Sequence, residues 1–447
     1  MVDDTIYALA SGKGRAGLAI VRVSGALVDG CVNKLGLGTL EERKLSLVWI
    51  THPVTNKKID HSMVAFFRGP RSYTGEDVLE LHVHGGGGVL RLLFSALEAC
   101  GCRLAEAGEF TLRAFNNDKL ELTQVEAIAD LIAAESNAQV EQALGQIGGT
   151  LKEVCETWQK SLIKVLAHIE TCIDFVDEDI PKGVLDGSLN GLGNLTSEIE
   201  SRLADNRIGE RIRDGLEVCV IGAPNVGKST LVNTLIRREA AIVSPVEGTT
   251  RDIIECQMSV GGLAVRLFDT AGIRTGTTDE IELEGISRAI ARAKAADIII
   301  ALFDYRDFPR VDPVIGKFLE KSSIIVFNKT DKRAKLASSN RHQIHEGSEV
   351  LLLSLRSGTG VAELQDVLLK RVLELAPVAE GSIITRERHR VALEECLGYV
   401  RVALKQQELA LIAENVRMAL RGLGRVTGRV EVEQLLDVVF KDFCIGK

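Results

Sequence analysis

The sequence predicts a multidomain α/β protein: an N-terminal α+β domain, then an α-helical domain interrupted by a unit with a mainly parallel sheet. Three observations carry this. The 447 residues exceed what one ordinary hydrophobic core holds. The apolar pattern changes along the chain, from short β-like runs to helical spacing and then to alternating strands and helices. After Pro377 the helical pattern returns, so helices flank the alternating unit on both sides, as an inserted domain would require.

Residues 1–118 alternate "LAIVRVSG", "LSLVWI", "SMVAFF" and "VLELHVHGGGG" with Gly-containing turns, and "VLRLLFSALEACG" reads as a helix ending at Gly101. Residues 119–212 form the first helical segment. No proline stands between Pro70 and Pro181, and Leu144, Ile147, Leu151, Val154, Trp158, Leu162, Val165 and Ile169 step by threes and fours. Long antiparallel helices follow from this, with Gly148-Gly149 a kink or a break. Residues 213–375 carry "LEVCVIG", "AVRLFDT", "DIIIALFD", "SSIIVFNKTD" and "VLLLSL" between helical stretches, the alternation of a parallel sheet covered on both faces. Residues 376–447 are helical again, and are expected to share one core with 119–212.

Composition narrows the function. With 45% hydrophobic and 26% charged residues the chain reads as a soluble globular protein. It lacks a run of about 18 apolar residues, and "MVDDTIYALASGKG" has no charged-then-apolar signal, so a cytoplasmic protein with no membrane association is expected. Nine cysteines without CxxC spacing fit a reducing compartment. One CxC (Cys100, Cys102) makes a poor zinc site. His82 and His84 share a strand face but lack a third ligand at suitable spacing, so the sequence assigns them no metal. The net charge of −8 argues against autonomous, charge-driven nucleic-acid binding. Cys444 stands where a prenylated cysteine would, but Gly446 and Lys447 do not fit that signal.

The chemistry lies in "IGAPNVGKST", which follows a strand and opens a helix. Gly222, four residues, then Gly227-Lys228-Ser229 has phosphate-loop spacing. Its glycines turn backbone N–H groups inward, and the helix N-terminus adds positive dipole. Asn225, Val226 and Thr230 complete the cradle. Lys228 reaches the β and γ phosphates, and Ser229 ligates Mg²⁺. "LFDTAG" supplies Asp269 for Mg²⁺ through water, Thr270, and Gly272 for the γ-phosphate. "GTTRD" supplies Thr249 and Thr250, the latter as a second Mg²⁺ hydroxyl. In "VFNKTD", Asn328 and Asp331 accept the guanine N–H donors while the stem of Lys329 covers the base. Each piece alone is ordinary turn chemistry; four in this order on predicted strands read as a Ras-like P-loop G domain. A fifth element, Ser354-Leu355 after "LLL", has leucine where alanine is usual, with the Leu355 N–H directed at guanine O6.

The group that drives hydrolysis stays open at this level. Ras-like enzymes place a water-orienting Gln just after the DTAG; here that residue is Ile273. The side-chain carbonyl of Asn225 is suited either to a monovalent cation or to holding the loop. Downstream, Asp279, Glu280, Glu282 and Glu284 offer carboxylates to a water, or simply an acidic helix start.

"RSYTGEDVLELHVHGG", "AGEFTLRAFNNDKLELTQVEAIADLI", "GAPNVGKST", "GTTRD", "DTAGIR", "NKTD" and the terminal "FCIGK" together resemble the MnmE (TrmE) family of tRNA-modification GTPases, from about Ile6 to Lys447. The resemblance implies an N-terminal domain that dimerises and binds a folate, 5-formyltetrahydrofolate or a related one-carbon donor, with Arg22, Glu80, Lys119 and Lys447 as contacts. It implies a homodimer that joins a flavoprotein, MnmG (GidA), to add an aminomethyl or carboxymethylaminomethyl group at C5 of the wobble uridine of certain tRNAs, the tRNA held largely through the partner. It implies K⁺ activation, with Asn225, Ser244, Val246 and Thr249 around the cation and two G domains meeting across the dimer. The water-positioning glutamate falls at Glu282, with Glu284 a second candidate. The tail places Cys444 near the one-carbon site. Alternatives of other classes are a GTP-driven binding switch in ribosome assembly and a folate enzyme with a vestigial G domain.

Overall fold

The computed structural model describes residues 4–174, 182–238, 254–269, 292–316, 319, 323–332, 341–342, 349–377, 382–428, 443 and 446. The chain forms two compact units, residues 1–129, 146–185 and 405–447 in one, and residues 130–145 and 186–404 in the other.

The first unit is built on a sheet of order β3-β4-β5-β2-β1-β6, with β1 (Ile6–Leu9), β2 (Ala16–Ser24), β3 (Ser46–Thr51), β4 (Lys58–Phe67), β5 (Val78–Gly85) and β6 (Arg103–Leu104). Neighbours run antiparallel except β1 and β6. Period-two alternation fixes the register: Val21, Val23, Leu79, Leu81 and Val83 are buried, and the residues between them face the other side. Helices α1 (Val28–Lys34) and α2 (Gly87–Ala99) supply Val28, Cys31, Leu93, Ala96 and Leu97 to the same core. Next comes α3 (Glu109–Asn116), whose Arg113 donates to Asp4 at 2.8 Å, Glu109 at 3.0 Å and Glu76 at 3.1 Å. That network makes Arg113, part of the quoted "GEFTLRAF", a structural tie.

Helices α4 (Leu122–Ala133), α5 (Asn137–Ile147) and α6 (Thr150–Asp174) follow. The Gly148-Gly149 pair is a break: α5 ends before it, and Gly149 has φ +93°, a left-handed conformation that favours glycine. The break resets the helical phase. Leu151, Trp158, Leu162 and Ile169 are buried, whereas Leu144 is 52% exposed, so the apolar stripe predicted to start at Leu144 belongs to α6 alone. The helix Leu409–Thr427 packs along α6. Near the tail, Phe443 is buried against Val125. Gly446 lies so close to β1 that a Cβ there would fall 2.1 Å from the Leu9 carbonyl oxygen. The two tryptophans both sit in this unit. Trp158 is buried in α6; Trp49, on the edge strand β3, is exposed, with His61 stacked on it and the Lys58 ammonium 4.1 Å from its ring centre.

The second unit carries a sheet of order β12-β13-β11-β10-β7-β9-β8. Its members are β7 (Leu216–Gly222), β8 (Ile254–Val260), β9 (Leu263–Asp269), β10 (Ile298–Asp304), β11 (Ile324–Asn328), β12 (Arg341–His342) and β13 (Glu349–Leu352). The five middle strands are parallel, and β8 and β12 run antiparallel at the edges. Every residue of β10 is buried, the continuous apolar run of a strand covered on both faces; each buried Ile or Leu there contributes about 1.5–3 kcal/mol. Of the helices α7 (Lys182–Leu203), α8 (Ile208–Asp214) and α9 (Lys228–Arg238), α9 packs on β7, β8 and β9 and α8 on β9. The helix Glu387–Ala403 is tied to α8 and its preceding turn by Arg390, which donates to Asp205 at 2.7 Å and Glu210 at 3.0 Å. The architecture is thus the expected one of an α+β domain, helices, and a mainly parallel α/β sheet.

Candidate functional site

The parallel strands β7, β9, β10 and β11 end side by side, which is where an open α/β sheet binds ligands. At the end of β7 the chain turns through Ala223–Gly227 and enters α9. Two residues of the turn are left-handed, Asn225 at φ +62° and Gly227 at φ +110°. Gly222 approaches β10 so closely that a Cβ would lie 2.4 Å from the Leu302 carbonyl oxygen. A side chain at Gly227 would lie 2.7 Å from Asn328 Nδ2. Packing therefore demands glycine at both places, and at Gly227 the left-handed backbone demands it as well.

Lys228 is buried, and its Nζ donates to the Gly222 and Ala223 carbonyl oxygens at 3.1 Å each. Burial pushes its pKa down, opposed by the charge of Asp269. A cation held on neutral carbonyls at the mouth of a loop of N–H groups is poised to take a phosphate oxygen instead. Ser229 Oγ donates to Asp269 Oδ2 at 2.5 Å, and Asp269 Oδ1 is buried and accepts no hydrogen bond among the described residues. A hydroxyl, a carboxylate and an orphaned carboxylate oxygen form a hard-oxygen donor set that fits Mg²⁺. Thr230 follows, exposed at the start of α9.

The guanine elements are drawn onto the phosphate loop. Asn328 Nδ2 donates to the Val226 carbonyl at 2.8 Å, and its Oδ1 accepts from the backbone N–H of Lys329 at 2.7 Å and of Leu355 at 3.1 Å. Asn328 is therefore a tie between loops here. The Leu355 N–H, expected to face guanine O6, is directed at Asn328. Lys329, at φ +71°, donates from Nζ to the Asn225 carbonyl at 2.7 Å. The exposed Asp331 accepts from Ser354 Oγ at 2.7 Å; that hydroxyl holds its carboxyl below the usual range. Sequence reasoning missed Asp304, at the end of β10, which accepts from Lys329 Nζ at 2.9 Å. The signal was present as the one carboxylate closing "DIIIALFD".

In the first unit Arg22 and Glu80 are directly opposite in the β2–β5 register. The guanidinium donates twice to Glu80 Oε1, at 3.0 and 2.8 Å, and lies 5.2 Å from the Tyr73 ring centre. His82 Nε2 is buried beside them, 3.7 Å from Glu80 Oε2, and has no hydrogen-bond partner among the described residues. An unmet polar atom next to a mostly buried ion pair fits a polar ligand such as a folate ring. Lys119 is exposed and packs beside Gly75, where a Cβ would meet its Cγ at 3.4 Å. His84 is paired with Asp60 at 2.9 Å, and no cluster of three metal-binding side chains occurs among the described residues. Ser244, Val246, Thr249, Thr250, Thr270, Gly272, Ile273, Asp279, Glu280, Glu282, Glu284, Cys444 and Lys447 lie outside the described residues.

Two family models match the chain, one described as the GTP-binding protein TrmE N-terminus over residues 5–119 and one as the MnmE helical domain over residues 122–444. Similar proteins include those of Paramagnetospirillum magneticum, 43% identical with all of both chains covered, and Caulobacter vibrioides, 44% identical with the same coverage. That of Rickettsia bellii is 42% identical over 99% of this chain and 100% of its own. Each is named a tRNA modification GTPase MnmE. Among the described residues, no helix is long and apolar enough to cross a membrane.

Proposed function

This chain belongs to the MnmE family of tRNA-modification GTPases, and from that premise we propose a K⁺-dependent GTPase that modifies the wobble uridine of certain tRNAs at C5. It acts as a homodimer with a flavoprotein partner, MnmG (GidA), in the cytoplasm, and takes its carbon from 5-formyltetrahydrofolate or a related folate. The assignment of segments is 1–118 for folate binding and dimerisation, 119–212 and 376–447 for the helical domain, and 213–375 for the G domain. The supporting observation is the convergence of Lys228, Ser229, Asp269, Asn328, Lys329, Asp331 and Ser354 at the ends of the parallel strands.

In this reading the loop N–H groups and Lys228 bind the phosphates, and Ser229, Thr250 and Asp269 hold Mg²⁺, which neutralises phosphate charge. Asp331 accepts from the guanine edge. Asn225, with Ser244, Val246 and Thr249, holds K⁺, which supplies the positive charge that an arginine brings elsewhere. Glu282 orients the attacking water. Arg22, Glu80, Lys119 and Lys447 hold the folate that supplies the one-carbon unit, with Cys444 nearby.

The test is steady-state GTP hydrolysis by the purified protein with Mg²⁺, in K⁺ and in Na⁺ at equal ionic strength. K⁺-selective acceleration is expected. Equal rates would remove the cation from the mechanism and leave the GTPase assignment standing. Glu282→Ala is expected to keep GTP affinity while kcat falls on the order of 10²-fold or more; wild-type turnover by that variant would exclude Glu282 as the water-positioning group.

A further inference from the structure

Asp304 belongs to none of the motifs that mark the nucleotide site, yet it holds one of their residues, Lys329, as well as its own neighbour Arg306. It closes β10, is 5% exposed, and divides its two oxygens between two tasks. Oδ1 accepts from the Arg306 backbone N–H at 3.0 Å, which caps the short turn that follows, and from Arg306 Nε at 3.1 Å. Oδ2 accepts from Lys329 Nζ at 2.9 Å and from Arg306 Nη2 at 2.8 Å. The same Lys329 Nζ donates to the Asn225 carbonyl at 2.7 Å. The Lys329 backbone is left-handed at φ +71°, and so is Asn225 at φ +62°, a conformation that is strained for residues other than glycine. A conformation of that kind persists where its surroundings over-determine it, and the ammonium between Asp304 and Asn225 does so. The hydrogen bonds of Asp304, those from Arg306 first and that from Lys329 after, also hold its carboxyl well below the usual range.

We propose that Asp304 is a positioning residue for nucleotide recognition, a carboxylate that holds the Lys329 ammonium against the Asn225 carbonyl so that guanine loop and phosphate loop form one preset surface. The inference deepens the GTPase reading and rests on it. Lys329 lays its stem along the purine only if its end is fixed. Without Asp304 the chain would have to order a four-carbon side chain on binding, and Asn225 would lose the donor that holds its peptide.

The test uses the full-length protein, a fluorescent GDP as probe, and Asp304→Asn. With its carbonyl oxygen on the Arg306 N–H the new amide keeps the turn, but its NH₂ faces the Lys329 ammonium, donor against donor. GDP affinity is expected to fall on the order of 10- to 100-fold. Lys329→Met removes the strut from its other end and is expected to lower affinity by a similar factor. In the Lys329→Met background, Asp304→Asn is expected to do nothing more, because Asp304 acts through Lys329. Unchanged affinity in Asp304→Asn, or losses that add in the double variant, would overturn the positioning role. A wild-type protein that fails to bind GDP at all would instead overturn the GTPase reading, so the two failures are distinguishable.

Discussion

Lys228→Ala is expected to reduce kcat for GTP hydrolysis by on the order of 10²- to 10³-fold, the size of effect seen when a preorganised charge donor is removed from a reacting centre. The geometry explains why the loss falls on function rather than on folding. Lys228 is buried, its ammonium held on two neutral carbonyl oxygens, and burial lowers its pKa. The folded state therefore disfavours its charged form relative to the unfolded chain, and that penalty applies below the lowered pKa and disappears as pH rises through the ordinary lysine range. Replacing the lysine should leave the thermal midpoint of the empty protein unchanged or slightly raised, while the rise in midpoint caused by GDP and Mg²⁺ shrinks. A variant that melts much lower without nucleotide would mean that Lys228 holds the loop together, and the kinetic loss would lose its interpretation.

Asp331→Asn is expected to weaken GDP binding by on the order of 10²-fold or more and to make xanthosine diphosphate the better ligand. An ionised carboxylate accepts from two guanine N–H groups at once. An asparagine presents one acceptor and one donor, leaving a guanine donor against a donor. The donor suits xanthine, which has a carbonyl where guanine carries its amino group. Competition of the two diphosphates against a fluorescent GDP reads the inversion directly; a fall in both affinities with no change in their ratio would assign Asp331 to loop structure. Ser354 donating to Asp331 keeps the carboxyl below its ordinary range. The acceptor is thus present throughout the pH range above that lowered value and is lost only as pH falls through it.

Local grammar made the sheet and the phosphate loop legible. "LEVCVIG" followed by a glycine-bearing turn and "KSTLVNTLIRR" has one physical solution, and β7 and α9 adopt it. The strands β10 and β11 were visible as apolar runs ending in polar residues. What the sequence did not show depends on partners distant in the chain. Asp304 looked like any residue closing a strand until folding brought Lys329 within 2.9 Å. Asn328 reads in sequence as a base contact, yet its side chain is committed to Val226 and Leu355. Arg22 and Glu80 were assigned as ligands from the family resemblance; the register also makes them partners of each other. Leu144 was misplaced because periodicity carries no mark of where a helix breaks, and Gly149 with its left-handed backbone moves the stripe out of phase.

The placement of the two tryptophans makes the protein its own spectroscopic reporter. Trp49 and Trp158 are the whole tryptophan content of the chain, and the unit holding the nucleotide-binding strands has neither. Trp158, enclosed among the helices, emits from an apolar surround. Trp49, in water with Lys58 and His61 against its ring, emits at longer wavelength and is open to aqueous quenchers. Iodide therefore dims one and spares the other. Because no indole lies in the second unit, a change in their emission on adding GTP, once corrected for light absorbed by the nucleotide, is a signal from the first unit, read without a label.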